Sequence, residues 1–198
     1  MKFLRDQIDK LKPTFSEGGK LSFLHSTFDA FETFLFVPNH TTQSGSHIRD
    51  GIDLKRTMFI VIIAMLPALM FGLWNVGHQQ SLALTGTDGS LWDNFFVGLI
   101  QTLPIIIVSY GVGLGIEMGF AQFRGHPVNE GFLVTGMLIP LCMPPDVPLW
   151  MVGLATAFSV VIGKEVFGGT GMNLLNPALT ARMFLYIGYP SSMSGDSV

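Results

Sequence analysis

The sequence predicts an all-α integral membrane protein: a multi-span helical bundle with broken helices and a cytoplasmic amphipathic N-terminal segment. Three observations predict this fold class. Of the 198 residues, 48% are hydrophobic and only 13% are charged. The uncharged stretches reach about 20 residues, the length at which a helix crosses the hydrocarbon core of a bilayer. Glycine and proline interrupt the later apolar stretches, as is typical of broken membrane helices.

The charge and cysteine content exclude several classes of function. The formal net charge of −3 gives no argument for nucleic acid as a partner. Cys142 stands in an apolar run without a second cysteine, so a packed thiol is favoured over a disulfide or a metal or redox ligand. The sequence contains no Ser-His-Asp set, Walker loop or cysteine cluster. We therefore assign no catalytic residue and no metal site.

Residues 1–56 are predicted to form a cytoplasmic segment and residues 57–198 the transmembrane domain. The first 20 residues are charged and lack the apolar core of a signal peptide. An apolar stripe at helical spacing then predicts an amphipathic helix: Leu21, Leu24, Phe28, Phe31 and Leu35. This helix is either an interfacial anchor or a docking surface for a partner or a hydrophobic substrate.

The predicted transmembrane domain contains five apolar pieces: residues 57–76, 95–116, 131–145, 147–163 and 174–189. The first is a full span with a kink expected at Pro67. The third is short and contains Pro140, Pro144 and Pro145, so we expect a broken span. The fifth carries Arg182 and is too polar for a simple lipid-facing helix.

Basic residues predict the orientation of the spans. If four spans alternate, five basic residues lie on the same side of the membrane: Arg49, Lys55, Arg56, Arg124 and Lys164. An excess of lysine and arginine marks the cytoplasmic side. The N-terminus is therefore predicted to be cytoplasmic, and the polar loop with Asp88 and Asp93 is predicted to lie outside.

The segment from Lys164 to Arg182 is the strongest candidate site, because it places charges and carboxamides beside membrane-type stretches. Its three glycines, Gly168, Gly169 and Gly171, disfavour a continuous helix. Asn173 and Asn176 can each offer a donor and an acceptor to the polar edge of a flavin or quinone ring. Hydrogen bonding within a broken-helix loop is the structural alternative.

The end of the second span carries a further candidate. Four glycines there favour close helix packing, or the approach of a flat ligand: Gly111, Gly113, Gly115 and Gly119. Glu117 ends a long apolar run, where a proton, a sodium ion or a nearby arginine must compensate its charge. A plain interfacial carboxylate near Arg124 is the alternative.

The string His126-Pro127-Val128-Asn129-Glu130-Gly131-Phe132 leads into the third span. Its polar groups fit either a cytoplasmic turn or an ion or cofactor contact at the mouth of a cavity. The pairing of His126 with Glu130 does not by itself make a metal site.

Four groups of residues together resemble one family, which contains the NqrB subunit of the sodium-translocating NADH:quinone reductase and the RnfD subunit of the Rnf complex. They are Ser-His-Ile-Arg-Asp at 46–50 with Asp-Leu-Lys-Arg at 53–56, Val-Asn-Glu-Gly-Phe at 128–132, Pro-Pro at 144–145 with Pro-Leu-Trp at 148–150, and residues 164–182. The resemblance implies a membrane subunit of a respiratory translocase in the bacterial inner membrane. Such a complex passes electrons from NADH through flavins to ubiquinone or a similar quinone and moves Na⁺ outward. The implied partners are the other subunits, the quinone, Na⁺ and the lipid bilayer.

The resemblance also implies cofactors. NqrB subunits hold a riboflavin and an FMN, the latter bound covalently to the threonine of a Ser-Gly-Ala-Thr motif. That motif is absent from this sequence. We therefore expect the N-terminal portion of a longer domain that is inactive alone. Riboflavin is expected beside Gly169, Thr170, Asn173 and Asn176.

Three further positions take expected roles from the resemblance. Glu117 matches an acidic position associated with sodium uptake. Gly113 and Leu114 fall where a glycine pair borders the quinone region, and Gly115 offers space similar to the missing second glycine. The predicted N-terminal helix resembles a part that helps to cover the quinone site.

Other assignments remain open at this point. A subunit of the RnfD type is the close alternative, although the long aromatic N-terminal extension favours the reductase. A non-redox ion or solute transporter and a purely structural membrane anchor are the alternatives from other classes. A transporter would also place glycine-broken helices and polar groups at membrane depth.

Overall fold

The computed structural model describes residues 2–15, 42–46, 54–87, 89–124 and 131–193, together with positions 25, 28, 32, 36 and 48. The described residues form α-helices and short 3₁₀ turns and include no β-strand, which confirms the all-α class. The helices are α1 (Lys2–Phe15), α2 (Leu54–Thr85), α3 (Leu91–Arg124), α4 (Gly131–Leu141), α5 (Leu149–Gly163) and α6 (Pro177–Gly188), with 3₁₀ turns at Glu165–Phe167 and Pro190–Ser192.

Three stretches of helix in the described part of the chain are long and apolar enough to cross a membrane: Arg56–Thr85, Leu91–Arg124 and Leu149–Phe167. The chain is thus an all-α membrane protein. The first two are longer than the sequence predicted, and α2 continues through Pro67. By contrast, α4 has only 11 residues, a length of about 17 Å, or roughly half of a bilayer core. The prediction of a short, interrupted third span is confirmed.

Helices α2 and α3 form an antiparallel pair with backbone-to-backbone contact at two glycines. A Cβ atom at Gly98 would lie 1.8 Å from the backbone oxygen of Leu73, and one at Gly77 would lie 1.8 Å from that of Asn94. Only glycine permits so close an approach. The buried Asn94 side chain also accepts a hydrogen bond of 2.8 Å from Ser81 Oγ, which ties the helices together near their connecting loop.

Helix α4 runs antiparallel to α3 and is attached to it by side-chain hydrogen bonds to free carbonyls. Tyr110 Oη donates to the carbonyl of Leu133 at 2.6 Å, and Ser109 Oγ donates to that of Gly136 at 3.1 Å. After α4 ends, Gln101 Nε2 donates to Asp146 Oδ1 at 2.8 Å. The short helix and the irregular segment after it therefore follow α3 back toward its first residues.

The core lies between α3, α4, α5 and α6. Its fully buried side chains include Ile105, Phe132, Ile139, Val152, Val160 and Leu185. Helices α5 and α6 are antiparallel, with the rings of Phe158 and Phe184 stacked at a centroid distance of 4.4 Å. This packing turns the chain after α5 back toward the bundle, so the loop between α5 and α6 lies at the end where α3 finishes.

The N-terminal segment is described only in part. Helix α1 contacts residues that follow it: Lys12 Nζ lies 2.7 Å from Glu32 Oε1, and the rings of Phe15 and Phe28 stack at 4.7 Å. Of the predicted amphipathic stripe, Leu21, Leu24, Phe31 and Leu35 lie outside the described residues. The division at residue 56 and the cytoplasmic location of this segment stay predictions.

Candidate functional site

Five chain segments converge at one end of the bundle. The first turns of α2, α4 and α6 meet the end of α3 and the loop that follows α5. Because α3 and α5 both finish here, the charged residues near their ends come together. The site combines a buried charge cluster with an adjoining cavity.

The centre of the charge cluster is an ion pair between α3 and the residue after α5. Lys164 Nζ donates a hydrogen bond to Glu117 Oε1. Glu117 is 4% exposed and Lys164 is 5% exposed. Removing two charges from water costs several kcal/mol, which their mutual attraction offsets only while both partners stay in place. Of the compensating groups considered from sequence, the structure provides neither a proton nor an arginine but a lysine.

A second ion pair lies beside the first. Arg124 Nη2 donates to the backbone oxygen of Glu165 at 2.8 Å, and Nη1 lies 3.3 Å from its Oε2. Lys164 and Glu165 are neighbours in sequence but contact two residues of α3 that lie two helical turns apart. Arg124 therefore compensates Glu165 rather than Glu117.

Glycines shape the loop that carries these charges. Gly168, Gly169 and Gly171 have φ values of 115°, 94° and 90°, in the left-handed region that other residues rarely adopt. The backbone N–H of Gly169 donates to the Lys164 carbonyl at 3.1 Å. The prediction that these glycines end the helix is confirmed, because α5 gives way to a 3₁₀ turn and α6 begins only at Pro177.

Asn173 and Asn176 both hydrogen-bond within the loop. Asn173 Oδ1 accepts from the N–H of Gly171 at 3.3 Å, and its Nδ2 donates to the Leu175 carbonyl at 3.0 Å. Asn176 Oδ1 caps α6 by accepting from the N–H groups of Ala178 at 3.0 Å and Leu179 at 3.4 Å. The Nδ2 group of Asn176 is left for another contact.

A cavity of about 350 Å³ adjoins the charge cluster. Its lining combines apolar side chains with a few polar ones: Met58, Gly131, Val134, Thr135, Leu138, Lys164, Thr170, Asn173, Leu174, Leu175, Asn176 and Pro177. The hydroxyl of Thr170 is buried and finds no hydrogen-bond partner among the described residues. An apolar lining with a few polar groups and one unsatisfied hydroxyl suits a flat, polar-edged ring.

The structure brings three of the four predicted riboflavin residues to this cavity. Thr170, Asn173 and Asn176 line it. Gly169 is buried behind it, where a Cβ atom would lie 3.8 Å from the Glu165 carboxylate. The sequence motif therefore contains both the cavity wall and its support.

The three residues expected at a quinone region do not share one surface. Gly113 is buried and faces Phe132, whereas Gly115 faces open space on the other side of α3. Leu114 is partly buried and packs against the core. Gly113 thus serves helix packing, and Gly115 alone of the three offers an open position.

Two other sequence features lie away from the described site. The string from His126 to Glu130 falls outside the described residues, so its proposed contacts stay predictions. Across the residues that the structure describes, no group of three or more His, Cys, Asp or Glu could hold a metal ion. Cys142 is a free thiol of intermediate exposure.

Lys164 is the site residue that sequence reasoning did not assign. A signal for it existed, because Glu117 and Arg124 lie two turns apart on α3 and the adjacent Lys164 and Glu165 carry the complementary charges. Met58, Val134 and Thr135 were also missed as cavity residues. Their sequences give no such signal, since ordinary apolar helix positions become cavity walls only through packing.

Residues 41–197 match the family model described as the NQR2, RnfD, RnfE family. The chain belongs to the NQR2, RnfD, RnfE family. Similar proteins named as the NqrB component of the Na(+)-translocating NADH-quinone reductase occur in Stutzerimonas stutzeri, at 46% identity, Ectopseudomonas mendocina, at 45%, and Chromohalobacter salexigens, at 46%. This membership confirms the resemblance seen in the sequence motifs.

The similarity to these members of the NQR2, RnfD, RnfE family covers 98% of this chain. It covers 54% of the Stutzerimonas and Ectopseudomonas proteins and 52% of the Chromohalobacter protein. The chain therefore spans about half the length of the curated relatives it matches.

Proposed function

We propose that this chain belongs to the NqrB subunit of a sodium-translocating NADH:quinone reductase in the bacterial inner membrane. Together with the other subunits, NqrB would couple electron transfer from NADH through flavins to ubiquinone with outward Na⁺ movement. The observation that carries the proposal is the similarity of nearly the whole chain to relatives that bear this name. A buried carboxylate inside a long apolar helix supports it, because such a group marks an ion pathway by default.

In this proposal, Glu117 is the carboxylate on the sodium pathway. It lies inside α3, some way before Arg124 at the end of that helix, and only 4% of its surface is exposed. A Na⁺ ion would have to be stripped of most of its water there, and an anionic oxygen is the ligand that offsets this loss.

The cavity is the proposed riboflavin site. A bound flavin would supply one- and two-electron transfer at this position. Met58, Val134 and Leu138 would cover the apolar part of the ring. The Thr170 hydroxyl and Asn176 Nδ2 would bind its polar edge, while Asn173 would hold the loop in shape.

The residues present do not fit the covalent FMN. The sequence contains no Ser-Gly-Ala-Thr motif, and we derive no step through this group. A quinone contact is proposed only at Gly115, whose open position on α3 permits a flat ligand to approach the backbone.

We propose that the end of the bundle with the charge cluster faces the cytoplasm. Arg56, Arg124 and Lys164 lie there at the beginning of α2, the end of α3 and the end of α5. Their common location follows the preference of lysine and arginine for the cytoplasmic side.

The test of the proposed function is the Glu117→Ala variant in the full-length protein, assembled in the purified complex. We expect Na⁺-stimulated quinone reduction to fall by at least about tenfold, because the pathway loses its anionic ligand. The control is Asp93→Asn, an exposed acid in the first turn of the same helix, which should leave the Na⁺ response unchanged. Wild-type Na⁺ dependence in Glu117→Ala would contradict the sodium assignment.

The family description also includes the Rnf proteins, so an RnfD-type protein is the second candidate. Membranes that contain the intact complex distinguish the two. The reductase assignment expects NADH-dependent quinone reduction that Na⁺ stimulates and that disappears when this protein is deleted. NADH-dependent reduction of a non-quinone acceptor alone would favour the Rnf type, and a complex without flavin would favour a non-redox transporter.

A further inference from the structure

The Lys164 ammonium lies between two different surroundings. On one side it donates to the Glu117 carboxylate. On the other side it belongs to the wall of the cavity. Of the described residues that line this cavity, Lys164 alone carries a charge. The same cation is therefore shared by the proposed sodium ligand and the proposed cofactor site.

An ammonium group and a sodium ion compete for the same carboxylate oxygen. Both carry one positive charge, and in a water-poor interior two cations at one carboxylate repel strongly. While Lys164 holds Glu117, that carboxylate is compensated and attracts Na⁺ only weakly. Release of the ammonium leaves a buried charge without a partner, which a sodium ion would compensate.

The neighbouring acid does not provide an alternative partner for this lysine. The Glu165 carboxylate already lies 3.3 Å from Arg124 Nη1, and Arg124 also binds the Glu165 carbonyl. Because this second pair is complete, the ammonium has two places to go: the Glu117 carboxylate or the cavity.

The cavity itself favours negative charge. Gly131 and Pro177, which begin α4 and α6, both line it. The N-terminus of a helix carries partial positive charge and attracts anions. Two helix N-termini and one ammonium therefore face the same space, so a guest that carries or gains negative charge would be bound and would attract Lys164.

We propose that Lys164 is a tethered cation that competes with Na⁺ for Glu117. Na⁺ binds Glu117 when the ammonium turns toward the cavity, and it is excluded when the ammonium returns. By thermodynamic linkage, negative charge in the cavity raises the Na⁺ affinity of Glu117, and bound Na⁺ favours negative charge in the cavity by the same factor. This inference rests on the proposed function, specifically on Glu117 as the sodium ligand.

The experiment is equilibrium binding of ²²Na⁺ to the purified complex that contains the full-length protein. Lys164→Met removes the competing charge, and Lys164→Gln removes it while keeping a hydrogen-bond donor beside Glu117. Lys164→Arg is the matched control that keeps the charge. We expect the Na⁺ concentration for half-saturation to fall about tenfold in the Met and Gln variants and to stay within about twofold of wild type in the Arg variant.

A purely structural ion pair gives a different result. The Met and Gln variants would then assemble in lower yield, but the complexes that form would bind Na⁺ at the wild-type concentration, which would overturn the proposal. Weaker Na⁺ binding in either variant would overturn it as well. The Gln variant keeps the test decisive if the Met variant does not assemble.

Glu117→Gln separates failure of this inference from failure of the proposed function. If this variant loses Na⁺ binding while the Lys164 variants bind as wild type does, Glu117 is a sodium ligand but Lys164 does not compete for it. If Glu117→Gln binds Na⁺ as tightly as wild type, the sodium assignment itself is wrong.

Discussion

Gly113 of α3 lies directly against the ring of Phe132 in α4. A Cβ atom at Gly113 would come within 1.8 Å of Phe132 Cζ. The ring is completely buried and also meets the Tyr110 ring edge-on, with a centroid distance of 6.4 Å. The absence of a side chain at Gly113 therefore sets the distance between α3 and the short helix that borders the cavity.

The contact predicts that Gly113→Ala destabilises the protein. The added methyl group must displace a buried ring, and overpacking of this kind costs roughly 1–3 kcal/mol. Gly115→Ala is the matched control, because no atom lies within 4 Å of a Cβ atom there and alanine favours a helix over glycine by up to about 1 kcal/mol. Thermal unfolding of the full-length protein in detergent should show a lower midpoint only for Gly113→Ala. Equal midpoints would show that the ring is not held in this position.

Asn176 is predicted to have two separable roles, as the cap of α6 and as a cofactor contact. Asn176→Leu should cost about 1 kcal/mol of stability through loss of the cap, and it should also lower the riboflavin content. Asn176→Ser keeps an oxygen that can cap the helix but lacks the amide donor. We expect the Ser variant to keep its thermal stability and to lose flavin, measured by absorbance after denaturation. Full flavin content in the Ser variant would leave capping as the only role.

The buried hydroxyl of Thr170 predicts a loss of cofactor without a loss of stability. Thr170→Val removes an oxygen that has no described partner and keeps the shape of the side chain. Thr156→Val is the matched control, because its hydroxyl is also buried without a described partner but does not line the cavity. Removal of an unsatisfied hydroxyl is neutral or favourable for stability. Riboflavin content should fall by roughly tenfold in Thr170→Val alone, at the loss of one buried hydrogen bond. Equal flavin contents in the two variants would exclude a hydrogen bond from Thr170.

Arg124 is predicted to stabilise the loop after α5. Arg124→Gln leaves the Glu165 carboxylate, 8% of which is exposed, without its ionic partner, and we expect a loss of about 1–3 kcal/mol. The control is Arg5→Gln, because the Arg5–Asp9 pair on α1 is exposed on both sides and exposed pairs contribute at most about 1 kcal/mol. Limited proteolysis near the glycine loop should accelerate in Arg124→Gln alone. Unchanged cleavage there would mean that the glycine turns hold the loop without this ion pair.

Much of the fold could be predicted because hydrophobic length and glycine content act locally. The uncharged stretches around residues 57–76 and 95–116 predicted the first two spans, and only their ends were underestimated. Polar residues such as His78 and Gln79 continue α2 beyond the apolar stretch, since a helix does not have to end where its apolar face ends. The short third span followed from its prolines, and the break after α5 followed from Gly168, Gly169 and Gly171.

The candidate site was predicted less completely. Glu117 and the loop from Lys164 to Arg182 were recognised because charges and carboxamides are costly beside apolar segments. Their pairing was not predicted, since Glu117 and Lys164 are 47 residues apart and no local pattern relates them. The separation of Gly113 from Gly115 was also missed, because adjacent glycines look alike until a partner such as Phe132 occupies one face.

The sequence by itself determined the class of the protein, the approximate spans, the break after α5 and membership of its family. These features depend on composition, local conformational preference and motif identity. The tertiary structure alone decided which charge compensates which, which asparagine group is already used by the loop, and where a cavity remains. Burial makes each of these choices, because a charge or a hydroxyl acquires its energetic role only when packing removes water and selects its neighbours.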